Sequence, residues 1–175
     1  TVLGIGGAQI ALLGERSTRY DRDYLVASQA AEAALMDAEF DIRGPNAAVG
    51  NRVAEFTQTN TGIFLAGCNT SAAGRGLCAA PSDAAKPIWA SVDFLDESAT
   101  APSVAFGTFT GRAFDAGAGV RPERAPRYII ELIEDRCVGC NAASPAKMYR
   151  ITSIGFGPRR DVQVVMQIAF RKEKG

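Results

Sequence analysis

The 175-residue chain reads as an α+β fold: one long N-terminal α-helix packed on an antiparallel β-sheet, with long loops between them. Three observations predict it. Residues 1–42 run without a proline and are dominated by strong helix formers. The C-terminal part carries three β-rich runs, Arg127–Glu134, Met148–Phe156 and Val162–Arg171. Glycine, alanine and serine crowd the interval 44–120, the composition of long loops over a modest core. Two units follow: residues 1–44 as the helix and residues 45–175 as the head.

The helix has two characters. Its front, residues 1–14, has no charged residue. From Glu15 onward charged residues, Asp37 among them, share the helix with a narrow small-residue stripe. Ala27, Ala31, Ala34 and Ala38 recur at the three- and four-residue spacing that places them on one face. Tyr20 and Tyr24 extend the stripe backward by two turns. Alanine lets a backbone approach closely, so this stripe is the expected contact with the sheet. Leu3, Ile5, Ile10, Leu12 and Leu13 are the expected helix–helix contacts of the apolar front. The front alone is shorter than the ~20 apolar residues a bilayer span needs. The simplest expectation is that it ends a longer membrane segment; the alternative is a buried core helix. Gly44 can adopt the left-handed conformation that ends a helix, and Pro45 cannot continue it.

In the head, Asn46–Gln58 reads as a short helix or a turn-rich connection and Thr61–Gly67 as a first short strand. Ile88–Leu95 alternates moderately, and Ser103–Phe114 is β-rich with Gly107 and Gly111 as bulge points. In the last run Val162, Val164, Met166, Ile168 and Phe170 face one way, while Gln163, Gln167 and Arg171 face the other. That period of two marks an antiparallel strand with one buried face. Three consecutive strands make a meander, with the alanine stripe as the partner of its apolar face.

Composition excludes several functions. Lys plus Arg equal Asp plus Glu at 19 each, so no basic surplus argues for nucleic acid. The chain has no histidine, which removes the commonest general base and metal ligand and makes a Ser-His-Asp triad impossible. Gly4, Gly6 and Gly7 follow no strand and form no dinucleotide fingerprint. Asp93, Asp96 and Glu97 lack the spaced ligands of a calcium loop and read as a solvated acidic turn. No catalytic residue, cofactor or metal site is expected.

The four cysteines, Cys68, Cys78, Cys137 and Cys140, form two local pairs suited to an oxidising compartment. Two disulfides, Cys68–Cys78 and Cys137–Cys140, are the plain reading, with crossed pairing open. Cys137-Val138-Gly139-Cys140 also matches a redox or zinc CxxC. However, no convincing helix follows it, and Cys68 and Cys78 are too far apart for a second knuckle.

Residues 1–39 resemble the N-terminal helix of PilX-type minor pilins. The likeness lies in Gln29-Ala30-Ala31-Glu32-Ala33-Ala34-Leu35, Asp37-Ala38-Glu39 and the upstream Glu15-Arg16. Tyr149-Arg150-Ile151-Thr152, Gly155, Gly157 and the Val164–Phe170 strand are similar to the family's closing hairpin. Tyr128-Ile129-Ile130-Glu131 and the Gly76-Leu77-Cys78 to Trp89 stretch are similar too. The resemblance implies a pilin-like fold and a structural, non-catalytic subunit. Such a subunit sits in the inner membrane with a periplasmic head, then passes into a type IV pilus. Its implied partners are other minor pilins (PilV- and PilW-like), the major pilin and a large tip adhesin, in a complex that primes assembly and sits at the tip. The family's leader peptide and fifth-residue glutamate would lie upstream of Thr1. A minor pseudopilin of a type II secretion system is the alternative on the same architecture. A periplasmic thiol- or metal-binding protein built on Cys137 and Cys140 is the alternative from another class.

Overall fold

An unbroken run of helix formers carries α1 through Val2–Arg43, 42 residues and about 60 Å. The computed structural model describes residues 2–81, 86–135 and 145–172, with side chains from residue 14 onward. Gly44 takes φ +70° and donates its N–H to the Phe40 carbonyl at 2.7 Å. The Asn46 side chain donates to the same oxygen. The end of α1 is thereby capped where the sequence places its stop.

The sheet contains β1 (Leu77–Ala79), β2 (Val104–Ala105), β3 (Arg127–Glu134), β4 (Lys147–Phe156) and β5 (Gln163–Phe170). β3, β4 and β5 form the predicted antiparallel meander. β2 also pairs antiparallel with β3, whereas β1 runs parallel to it, with Leu77 opposite Ile130. The sheet is therefore mixed. β4 fills one edge of β3, and β1 and β2 share the other end to end. In the β3–β4 register Glu131 lies opposite Arg150. Arg150 donates two bonds to the fully buried Glu131 carboxylate, at 2.9 and 2.6 Å. A slipped register would leave that carboxylate buried without a partner.

Each face of the sheet has its own cover. On one face α1 lies along β4 and β5, and Tyr149 packs among Phe56 and Phe64. The Phe56 and Tyr149 rings meet edge-on, 5.4 Å between centroids, a geometry worth about 0.5–1.5 kcal/mol beyond burial. On the other face Ile129, Ile154 and Phe156 pack against Cys68, Cys78, Ile88 and Phe94 from the loops. The central strands are consequently buried on both sides. β5 keeps the period of two, with Val164 buried and Gln163, Val165, Gln167 and Ala169 exposed.

Three weaker expectations are corrected. Thr61–Gly67 supplies only an isolated parallel bridge from Leu65 to Cys78, because the chain turns at once to bring Cys68 to its partner. Ile88–Leu95 forms no strand but a 3-10 turn at Ile88–Ala90. Beyond it, Asp93 and Asp96 accept the backbone N–H groups of Leu95 and Ser98, each closing a turn with its own side chain. Within Ser103–Phe114 only Val104 and Ala105 pair. The chain then leaves the sheet and carries Gly107 and Thr110 to α1. Asn46–Gln58 contains one 3-10 turn, Val53–Glu55.

Candidate assembly surface of the long helix

The inward face of α1 is built for close approach. Ala27, Ala31, Ala34 and Ala38 are all at 0% exposure. Opposite them, β4 presents Gly155. A methyl group built there would sit 2.0 Å from the Ala27 carbonyl and 2.4 Å from the Ala31 nitrogen. Only glycine allows the two backbones to come this close. Two residues back on the same face, the Ser153 hydroxyl donates to the Ala31 carbonyl at 2.9 Å, an extra bond between helix and sheet.

Two buried carboxylates on the same face pin the loops. Arg52 donates to both oxygens of Asp41, the shortest bond being 2.6 Å, and Tyr128 donates its hydroxyl to Asp41 at 2.9 Å. The remaining Arg52 nitrogen donates to the Ala73 and Arg75 carbonyls, and the guanidinium lies 3.7 Å over the Phe109 ring. Burial, reinforced by Asp41, holds the Tyr128 phenol well above its ordinary range. Asp37 accepts the Gly107 N–H at 2.8 Å and the Thr110 hydroxyl. Burial is the main cause that raises its carboxyl above the usual value, against the lowering effect of these two donors. In the sequence alone Asp37 is one of the charges that share the helix, and Asp41, Arg52 and Tyr128 carry no assigned role. A signal was there: Asp37 and Asp41 each follow a stripe alanine by three residues, and that spacing stays on the buried face.

Tyr20 and Tyr24 do not belong to the packed stripe. They are 54% and 48% exposed. Every side chain from Gly14 to Arg22 is exposed, because the sheet ends before it reaches them. The last contact is at Asp23, whose buried carboxylate meets Arg159 of the β4–β5 turn at 3.0 Å. Further along, the face turned away from the sheet exposes Leu25 at 59% and Met36 at 58%. Beside it a groove of about 170 Å³ runs between Val26, Ala30 and Ala33 of α1 and Phe114, Val120 and Pro122 of the loop between β2 and β3.

Leu3, Ile5, Ile10, Leu12 and Leu13 lie on helical backbone, but their side chains fall outside the described residues. Among those residues no helix is long and apolar enough to cross a membrane, and no cluster of metal-ligating side chains occurs. Cys68 and Cys78 are joined, S–S 1.99 Å. Cys137 and Cys140 lie outside the described residues.

A family model described as type IV pilus assembly protein PilX, C-terminal part, matches residues 48–172. The chain belongs to that family. The match takes in the whole sheet, the Cys68–Cys78 loop and Arg52, and it begins just past α1. A long helix on a mixed sheet is accordingly a pilin-like fold, and the chain is a type IV pilus assembly-related protein of the cell envelope. No curated protein and no solved structure matches it.

Proposed function

We propose that the chain is a minor, non-catalytic pilin that primes type IV pilus assembly. In this reading it stands in the tip complex with PilV- and PilW-like minor pilins, the major pilin and a large tip adhesin. Before assembly the head lies on the periplasmic side, with the apolar front of α1 leading into the inner membrane. The reading rests on the family match and on one structural observation above the rest: α1 is packed on one face only. Its alanine face is sealed against β4 and β5, while Leu25 and Met36 stay open on the other side. Such a helix can exchange lipid or water for neighbouring helices without unpacking the head, and assembly then needs no reacting group. The Cys68–Cys78 disulfide suits an oxidising compartment outside the cytoplasm.

The test is complementation of a strain that lacks this chain, with sheared surface pili as the readout. The unaltered chain restores piliation. Leu25→Glu combined with Met36→Glu changes two exposed side chains, so its melting temperature stays within a few degrees of wild type, yet it leaves few or no pili. Full piliation by this double variant would remove the outward face of α1 from the mechanism.

A further inference from the structure

The Cys68–Cys78 disulfide lies inside the head, not on its surface. Cys78 is fully buried and Cys68 is 6% exposed. Cys78 is the middle residue of β1. It is fixed on one side by β3, where it stands opposite Glu131, and on the other by the bridge to Leu65. Both cysteines share one apolar cluster with Ile88 and Phe94 of the loop layer and with Ile129, Ile154 and Phe156 of the sheet.

Thiol–disulfide exchange makes a demand that this site does not meet. The bond forms through a mixed disulfide, in which the oxidant is covalently joined to the chain. A second molecule must therefore bring its own sulfur up to one of the two cysteines. Neither is open to such an approach in the folded head, and buried cysteines are correspondingly inert. Opening and closing are one exchange run in opposite directions, so the restriction applies to both.

We propose that the pair is oxidised before β1 docks on β3 and before Ile88 and Phe94 close over it. The chain thus meets a dithiol–disulfide oxidant while this part is still unfolded. One cysteine thiolate attacks the oxidant's disulfide and expels one of its sulfurs as a thiolate. The other cysteine thiolate then attacks the mixed disulfide at the chain's own sulfur. The chain gives up two protons and two electrons, and the oxidant leaves as the dithiol. The layout of the chain permits that order. The two cysteines are 10 residues apart, a loop that closes without help from the sheet. Synthesis runs from the N-terminus, and Ile88, Phe94 and β3 all follow Cys78. The oxidant then needs no docking surface on the finished head, and the finished bond is shielded from reductant. This proposal is independent of the assembly reading above, and its failure leaves that reading untouched.

Reduction of the folded, oxidised chain by dithiothreitol, at a series of urea concentrations below the unfolding transition, tests it. Free thiols are trapped by alkylation, and the peptides bearing Cys68 and Cys78 are followed by mass spectrometry, so Cys137 and Cys140 do not enter the reading. Without urea the bond opens about a hundredfold or more slower than in the denatured chain. Its rate then climbs with urea, because buried surface must be exposed first. Phe94→Ala thins the cover and raises the rate without urea by about tenfold or more, and a thermal melt confirms that this variant is folded. A folded chain reduced as fast as the denatured one, or at a rate independent of urea, overturns the proposal, because the bond is then open to a partner in the finished head. An unchanged rate in Phe94→Ala overturns it as well, since the loop layer is then not the cover.

Discussion

Asp41 lies at 0% exposure and is held by Arg52 from two sides and by Tyr128 from a third. Removing one partner of a buried pair strands the other charge, a loss of about 3–5 kcal/mol. Asp41→Ala should destabilise by that amount, read as a fall in the urea midpoint with unchanged slope. Its neighbour Asp37 gives a prediction about pH. Burial raises its folded pKa above the unfolded value, so its contribution to stability is fully present below the unfolded pKa and is lost as pH rises through the folded one. Asp37→Asn removes that proton exchange. Relative to the asparagine variant, the wild-type chain should gain stability as pH falls from neutrality through the carboxylate range. Paired urea titrations at several pH values check this, and a constant difference would contradict it. Neither effect depends on the surface ion pairs, such as Arg19 with Glu15, which contribute little.

At the scale of elements, the joint between α1 and β4 controls the head. Its closeness comes from small side chains on both partners, four alanines against Gly155 and Ser153. Gly155→Ala adds one methyl group where two helix backbone atoms already stand. The helix and the strand must then move apart, at about 1–3 kcal/mol or somewhat more. A drop of several degrees in melting temperature is expected, and no drop would mean that the helix rides more loosely than the contacts imply. Half of this joint was legible in the residues, because the alanine spacing identified the face. The other half was not. Gly155 reads as an ordinary strand glycine until the helix is laid over it, and Tyr20 and Tyr24 continue the same spacing past the end of the sheet. Periodicity gives the direction of a face but not the length of what lies against it.

For the whole molecule, the loops act as a second layer and cover the face of the sheet that α1 does not. Cys68 and Cys78 sit in that layer with Ile88 and Phe94. Closing a loop of this length contributes roughly 2.5–3 kcal/mol in the chain-entropy model. Cys68→Ala with Cys78→Ala should lower stability by about that much and increase hydrogen exchange at Leu65–Ala79 first. The β4–β5 ladder should remain protected. Simultaneous loss of protection in both would show one cooperative unit with no separable layer.

Much of this protein was decided locally. The helix and its stop at Gly44, the strand of eight residues at Arg127–Glu134 and the face pattern of β5 all rest on residues near one another in the chain. Propensity and period therefore suffice to read them. Tertiary structure decided the rest. Leu77–Ala79 became a parallel strand because β3 had one edge free. Arg52 found Asp41 only when the loop crossed the end of α1. Asp37 became buried only when Gly107 and Thr110 reached it from the far side of the sequence. A buried charge is tolerated where its partners converge, and sequence spacing cannot express that convergence once the partners lie on different elements.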